Sequence, residues 1–255
     1  MRAPDLEARL RERLDSGGRA FVPYVTGGLP GVDAELMRGL AETGADAIEV
    51  GIPFSDPVMD GPVIQEASQR ALEGGARLER IVSEIRAAAI GVPVAVMTYL
   101  NPVLALGFDR FLDVLDGAVS GAIIPDLPVD EADSWLAAAP PEFATVFLAA
   151  PGTSKERLAR VAETSRGFVY CLSTYGVTGE RASLDTAGRS LVESLRPHTD
   201  TPLLVGVGIG TREAAAEACG FADGVVVGSA LVRPILEGDR SGMLDLAKRF
   251  RSAIG

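Results

Sequence analysis

The sequence predicts an α/β protein whose parallel strands close into a barrel. Short β-branched or apolar runs alternate with longer amphipathic segments along the whole sequence, a pattern typical of repeated βα units. The length of 255 residues is close to the roughly 250 residues of an eightfold barrel. We therefore expect residues 1–255 to form a single (βα)8 TIM-barrel domain with one extra N-terminal helix.

Eight segments have the composition of buried strands. They are residues 20–26, 46–50, 93–99, 121–125, 145–149, 167–173, 203–206 and 224–227. Helical patterns lie between them at residues 33–43, 62–73, 78–89, 101–115, 155–162, 186–195 and 212–219. The loops rich in proline and glycine at 51–62 and 176–187 follow the second and sixth strands, at the end of a barrel where active sites are built.

Both ends of the sequence are predicted to be helical. Leu6, Leu10 and Leu14 recur at four-residue intervals between Pro4 and Gly17, which supply a start and a stop signal. We expect this first helix to plug the bottom of the barrel. The last helix is predicted from an apolar stripe of Met243, Leu246, Phe250 and Ile254.

Composition excludes several classes of partner. Apolar residues make up 47% and charged residues 23% of the sequence, as in ordinary cored proteins. The net charge of −11 argues against binding to nucleic acid or to an anionic membrane, because phosphate backbones are bound by clustered basic side chains. No apolar run approaches the roughly 20 residues of a membrane span, and no signal peptide is evident, so we expect a cytoplasmic protein.

The basic and sulfur-containing residues offer little chemistry. The single histidine, His198, lies in a proline-rich connector, which is typical of a surface loop. Lys155 and Lys248 lie in predicted polar helices and lack the desolvated setting of an imine-forming lysine. Cys171 and Cys219 lie in a predicted strand and helix, so a disulfide framework is not expected. Carboxylates are therefore the best candidates for catalysis.

Glu49 is the most informative of these carboxylates. It interrupts an otherwise apolar strand, and the two-residue alternation of strands places it on the face opposite to Ile48 and Val50. If those two pack against helices, Glu49 points into the mouth of the barrel. Burial there would raise its pKa toward neutrality, as suits a general acid or base. The alternative is a structural ion pair with an arginine.

Three aspartates near the ends of strands are more ambiguous. Asp60, in an Asp-Gly-Pro sequence, could be an ordinary turn residue or a second catalytic carboxylate that shares a pocket with Glu49. Asp56 and Asp126 could each hold a loop or contact a ligand.

Glycine-rich segments follow the last three predicted strands, at 176–179, 206–210 and 228–230. Glycine lets the backbone approach an anion closely, and helix N-termini supply N–H donors. Two of these segments follow strands seven and eight, the usual phosphate site of such barrels. Side chains in strands or at their ends could line an apolar slot beside this site: Phe21, Met97, Tyr99, Ile123, Tyr170 and Val207.

Six motifs in order resemble the α subunit of tryptophan synthase. They are AFVPYVTGGLPG, GADAIEVGIPFSDPVMDGPVIQ, MTYLNPVL, GAIIPDLPVDE, SxxGVTG and ADGVVVGSALV. The resemblance spans essentially the whole sequence. It implies an eightfold barrel that cleaves indole-3-glycerol phosphate to indole and glyceraldehyde 3-phosphate, without a cofactor or metal ion.

The resemblance also implies roles for particular residues. The family's two catalytic carboxylates correspond to Glu49 and Asp60. Its phosphate ligands correspond to Gly179, Gly208, Gly228 and Ser229. Its indole pocket corresponds to Phe21, Met97, Tyr99, Ile123, Tyr170, Thr178, Val207 and Val226.

Some positions depart from the pattern expected of the family. They are Leu29, Thr174, Tyr175, Val207 and Gly210. Neither catalytic carboxylate is among them. Because they lie in loops that shape the pocket or communicate with a partner, they put coupling between subunits in doubt more than the chemistry.

The partner remains open at this stage. The resemblance implies docking on a pyridoxal-phosphate β subunit in an α2β2 assembly, and the apolar loop residues Phe54, Val58 and Met59 could belong to that interface. The alternatives are a stand-alone lyase that releases free indole, a non-catalytic subunit that regulates its partner, and an unrelated barrel that isomerises a sugar phosphate.

Overall fold

The computed structural model describes residues 3–173 and 184–255, and in these residues nine parallel strands belong to one sheet. The strands are β1 (Ala20–Thr26), β2 (Ile48–Gly51), β3 (Val94–Met97), β4 (Gly121–Ile123), β5 (Ala144–Val146), β6 (Leu148–Ala149), β7 (Val169–Leu172), β8 (Leu203–Gly206) and β9 (Gly224–Val227). Their order in the sheet is β5-β4-β3-β2-β1-β9-β8-β7-β6. The predicted eightfold barrel is confirmed, because the two outermost strands are halves of one chain segment.

That segment is the predicted fifth strand, which is split at Phe147. Its first half pairs with β4 and its second half with β7. Phe147 is buried in the layer between sheet and helices. Because its two halves pair with different neighbours, this segment connects the two ends of the sheet and closes the barrel.

Twelve α-helices surround the sheet in the described residues. They are α1 (Leu6–Asp15), α2 (Ala34–Glu42), α3 (Pro62–Glu73), α4 (Leu78–Ala88), α5 (Leu100–Leu106), α6 (Phe108–Leu115), α7 (Asp133–Ala138), α8 (Lys155–Thr164), α9 (Leu184–Leu195), α10 (Arg212–Cys219), α11 (Ser229–Leu236) and α12 (Arg240–Ile254). Short 3-10 helices span Val129–Glu131 and Arg196–His198. No described helix is long and apolar enough to cross a membrane.

The expectation of one helix over 101–115 is wrong. The chain breaks there into α5 and α6 at Gly107, whose φ of +87° lies outside the helical region and is open to glycine. Helices α7 and α11 were not predicted. The first has only six residues, and the second contains Pro234, which reads as a helix breaker in sequence.

The core has two layers. Inside the barrel, small and branched side chains from alternating strand positions meet the plug formed by α1, whose Leu6 and Leu10 pack in the same cluster as Phe168. The Glu7 carboxylate accepts the Gly167 N–H at 2.9 Å and anchors this helix to the bottom of β7. The predicted plug is therefore present. The larger second layer lies between the sheet and the helices.

A buried carboxylate network ties both terminal helices to the bottom of the barrel. Asp46, just before β2, is 2% exposed. It accepts the Phe21 N–H and the Arg251 guanidinium, each at 3.0 Å. Arg9 and Arg13 lie 3.5 and 4.0 Å from its oxygens. Burial raises the pKa of Asp46, although the hydrogen bonds and arginines oppose this effect.

Candidate active site

Glu49 lies inside the upper half of the barrel, on β2. In the sheet register it is opposite Tyr24 on β1 and Ala95 on β3. The residue is only 1% exposed, and neither carboxylate oxygen has a hydrogen-bond partner among the described residues. Burial, followed by the charge of Asp60, raises its pKa from about 4.5 to about 8. Glu49 is therefore a carboxylic acid that holds its proton at neutral pH.

Asp60 approaches Glu49 from the loop that follows β2. Its side chain is hydrogen-bonded to the Tyr99 hydroxyl, whose oxygen also accepts the Met59 N–H at 3.0 Å. Burial raises the pKa of Asp60 to about 6, and the bond with Tyr99 limits that rise. At neutral pH Asp60 is mostly ionised while Glu49 is mostly protonated. The structure thus brings the two predicted carboxylates together in opposite protonation states.

Two further phenols approach the same space. The Tyr24 ring turns from β1 over Gly51 on β2, where a Cβ atom would lie only 1.9 Å from its hydroxyl oxygen. Tyr170 turns from β7 over Gly206 in the same manner, with a corresponding separation of 2.3 Å. Burial and the nearby carboxylates raise the pKa of both phenols well above the usual value, so both remain hydrogen-bond donors.

The prediction that Phe21 lines the pocket is wrong. Its ring lies outside the barrel and stacks on Phe250 of α12, with ring centroids 6.5 Å apart. The opposite face of β1 carries Tyr24 and Thr26, which the pocket prediction omitted. Strand alternation could have found them, because their hydroxyls share one parity and mark the face that requires polar partners.

The other predicted pocket residues are distributed around the upper barrel. Ile123 and Val226 belong to the inner cluster, and Met97 and Tyr170 pack against it. Tyr99 is at the rim, where it precedes α5 and packs against Phe54 with ring centroids 5.4 Å apart. Phe54 is accordingly half-buried in the site wall.

The predicted anion-binding segments follow β8 and β9. Val207 and Gly208 both have positive φ angles, of 62° and 86°, and both are exposed. The Val207 carbonyl is fixed by the hydroxyl of buried Ser173. Gly228 caps α11 and Ser229 begins it, so the N-terminus of this helix lies just after the carboxyl end of β9. Thr178 and Gly179 lie outside the described residues, as do Thr174 and Tyr175.

These segments are neighbours of the carboxylates because of strand order. The sheet runs from β2 through β1 and β9 to β8, so the carboxylate strand and the glycine-rich turns share one arc of the barrel rim. Tyr24 on β1 lies beside the turn after β9, because a Cβ atom at Gly228 would be 3.8 Å from its ring.

Asp126, one of the ambiguous aspartates, and Leu29, one of the departures from the family pattern, both have structural roles. Asp126 accepts the Leu100 N–H at 2.8 Å and so stabilises the start of α5. Leu29 is 3% exposed and packs in the outer core. At the position where the family pattern has an acidic residue, this chain therefore has a buried leucine. Within the described residues, no group of three or more His, Cys, Asp or Glu side chains is placed to hold a metal ion.

The family model for the tryptophan synthase alpha chain matches residues 10–252. The chain belongs to this family. It is 43% identical to the tryptophan synthase alpha chain of Streptomyces coelicolor, over 92% of both chains. The corresponding Mycobacterium tuberculosis protein is 46% identical over 86% of this chain and 83% of that one.

Solved structures agree with this assignment. A Mycobacterium tuberculosis tryptophan synthase chain superposes with a TM-score of 0.90 at 40% identity, covering 99% of this chain and 98% of that one. The tryptophan synthase alpha chain of Legionella pneumophila gives a TM-score of 0.87 at 31% identity, over 100% and 97% of the two chains. The resemblance read from the motifs is confirmed, and with it the enzyme class: a tryptophan synthase α-type lyase of tryptophan biosynthesis.

Proposed function

We propose that this tryptophan synthase alpha chain cleaves indole-3-glycerol phosphate with Glu49 as the proton carrier and Asp60 as the electrostatic partner. The observation that supports these roles is a buried glutamic acid with no hydrogen-bond partner among the described residues, near an aspartate whose pKa is raised less than its own. A pair whose environments separate their pKa values is the arrangement that acid–base catalysis requires.

The first step is protonation of the substrate ring. Glu49 transfers its proton to C3 of the indole, which leaves a positive charge shared with the ring nitrogen. Asp60 accepts a hydrogen bond from the ring N–H and stabilises that charge. The protonated ring then serves as the electron sink for carbon–carbon cleavage.

The second step returns the proton to Glu49. The newly formed carboxylate takes the proton of the side-chain hydroxyl next to C3, and the oxygen forms a carbonyl. The bond from this carbon to C3 breaks, and its electron pair restores the aromatic ring. The products are neutral indole and glyceraldehyde 3-phosphate, and Glu49 is again protonated.

Binding of the phosphate orients the substrate at a distance from the reacting bond. The turns at Gly208, Gly228 and Ser229 present backbone N–H groups and the N-terminus of α11, which favour an anion despite the acidic net charge. We include Gly179 in this site from the family pattern. Binding energy from the phosphate can be used to hold the indole ring in position between Glu49 and Asp60.

We infer that a β subunit covers the mouth of this barrel in a cytoplasmic complex. Val58 is 75% exposed and Met59 46% exposed, in the same loop that carries Asp60, and Leu104 on α5 is 56% exposed. Large apolar side chains at the rim of a site are typical of a partner surface. A subunit that docks on Val58 and Met59 would contact the loop that carries Asp60 and could change the position of that carboxylate.

The test is the release of indole from indole-3-glycerol phosphate by the purified chain, with and without a β subunit. We expect indole and glyceraldehyde 3-phosphate in equal amounts, and a higher rate in the complex. Glu49→Gln should lose this release of indole. Its matched control is Glu193→Gln, which removes an exposed carboxyl on α9.

Each alternative has its own outcome in this assay. High activity that a β subunit does not stimulate would favour the stand-alone lyase. Binding of the substrate without any cleavage would favour the regulatory subunit, and a product other than indole would exclude the proposed chemistry.

A further inference from the structure

The Tyr24 hydroxyl is a buried polar group that the mechanism above does not use. Its residue is 5% exposed and stands in register with Glu49 on the neighbouring strand. The Thr26 hydroxyl donates a hydrogen bond to its oxygen at 3.4 Å. The oxygen is thus an acceptor in this contact, and the phenolic hydrogen is still free to be donated.

The Tyr24 ring spans the distance between the two halves of the site. At its base, Gly228 of the anion-binding turn would place a Cβ atom 3.8 Å from the ring. At its tip, the hydroxyl occupies the space that a side chain at position 51 would need. Glycine at position 51 makes room for the hydroxyl, whereas position 228 lies at ordinary contact distance from the base of the ring. The ring therefore lies across the slot with its hydroxyl at the carboxylate end.

The charged groups that face this hydroxyl are both acidic. Asp60 has the largest electrostatic effect on it and Glu49 a smaller one, while the Tyr99 phenol approaches from the rim. Tyr170 approaches from the opposite wall. At neutral pH Asp60 is the ionised member of the carboxylate pair, so it is the stronger acceptor for a phenol donor.

We propose that Tyr24 is a positioning residue for Asp60: its hydroxyl, oriented by Thr26, donates to the Asp60 carboxylate in the working site. Tyr99 then holds Asp60 from the rim and Tyr24 from the barrel interior. The two phenols keep the carboxylate ionised and aimed at the substrate N–H, while Glu49, which has no donor among the described residues, keeps its proton. This inference rests on the proposed role of Asp60.

The test is the pH dependence of kcat/KM for Tyr24→Phe in the full chain. Loss of a donor to an ionised carboxylate raises its pKa, so the acid limb, expected near pH 6 from the pKa of Asp60, should move upward by about half a pH unit or more. The expected result is a loss of kcat/KM of about twofold at pH 6 that approaches about threefold at lower pH, with little change at pH 7.5. KM at pH 7.5 should stay within about twofold, because Phe retains the ring.

Two variants calibrate this shift. Tyr99→Phe removes the existing bond to Asp60 and should move the acid limb in the same direction. Thr26→Val removes the group that orients Tyr24 and should give a smaller shift, and the double variant with Tyr24→Phe should add nothing further. Thr26→Val also supplies the test if Tyr24→Phe fails to fold.

The possible outcomes separate this inference from the proposed function. An unchanged acid limb in Tyr24→Phe, beside a shifted one in Tyr99→Phe, would reduce Tyr24 to a wall of the slot and overturn the inference. Movement of the alkaline limb alone would assign the donor to Glu49 and also overturn it. Absence of indole formation by the wild type, alone and with a β subunit, would instead contradict the proposed function.

Discussion

Two buried carboxylates three positions apart, Asp46 and Glu49, have opposite surroundings. Asp46 is below the barrel and is bonded to a backbone N–H and to Arg251, with two more arginines nearby. Glu49 is inside the upper half and has no hydrogen-bond partner in the described residues. A buried carboxylate without a partner is costly, so its position at the end of a barrel where active sites are built favours a use in chemistry.

The largest contrast is expected in catalysis. Glu49→Gln should lower kcat for indole formation by about 10³-fold while substrate still binds, because general acid–base groups contribute about 10²- to 10⁴-fold. Asp46→Asn, corrected for the folded fraction, should change kcat by less than about threefold. Steady-state assays and a direct binding titration measure both. Comparable turnover in the two variants would remove the functional distinction.

Stability should show the reverse contrast. Asp46→Asn removes the carboxylate that pairs with the partly buried Arg251 guanidinium, and we expect a loss of about 2 to 3 kcal/mol in the free energy of unfolding. Glu49→Gln should be neutral or stabilising at pH 7, since it removes no hydrogen bond between described residues. Urea denaturation of both variants tests this, and a larger loss for Glu49→Gln would show that Glu49 has a structural partner.

The pH dependence of stability should isolate Glu49. Its folded pKa of about 8 lies above its ordinary value of about 4.5, so the stability it contributes is present below pH 4.5 and is lost as the pH rises through 8. Glu49→Gln cannot ionise. Its advantage over the wild type should therefore grow between pH 5 and 9, by about 2 kcal/mol or more. A constant difference across this range would mean that Glu49 titrates normally.

The smallest expected effect separates the arginines around Asp46. The Arg9 side chain is 37% exposed and lies 3.5 Å from Asp46, whereas that of Arg251 is 13% exposed and lies 3.0 Å away. Arg9→Ala should cost about 0.5 kcal/mol or less, and Arg251→Ala about 2 kcal/mol. Thermal or urea unfolding at low and high salt measures the difference. Equal costs would indicate that the cluster acts as one unit rather than through Arg251.

The sequence predicted the parts of the molecule that depend on local patterns. Strand alternation placed Glu49 inside the barrel, and the four-residue spacing of leucines predicted the plug. The same alternation separates Tyr24 from Phe21 on β1, and it is Tyr24, not the predicted Phe21, that reaches the pocket. The break at Gly107 and the split at Phe147 escaped prediction because flanking apolar residues continue each pattern without interruption.

The sequence by itself determined the order of strands and helices, the family, and the two candidate carboxylates, Glu49 on β2 and Asp60 in the loop that follows it. Only the tertiary structure decided which buried acid has arginine partners. Arg9 and Arg13 come from the first helix and Arg251 from the last, more than 200 positions from Asp46 in the case of Arg251. Closure of the barrel brings both helices to its bottom and leaves Glu49 beyond their reach, so long-range packing sets the protonation state of each acid.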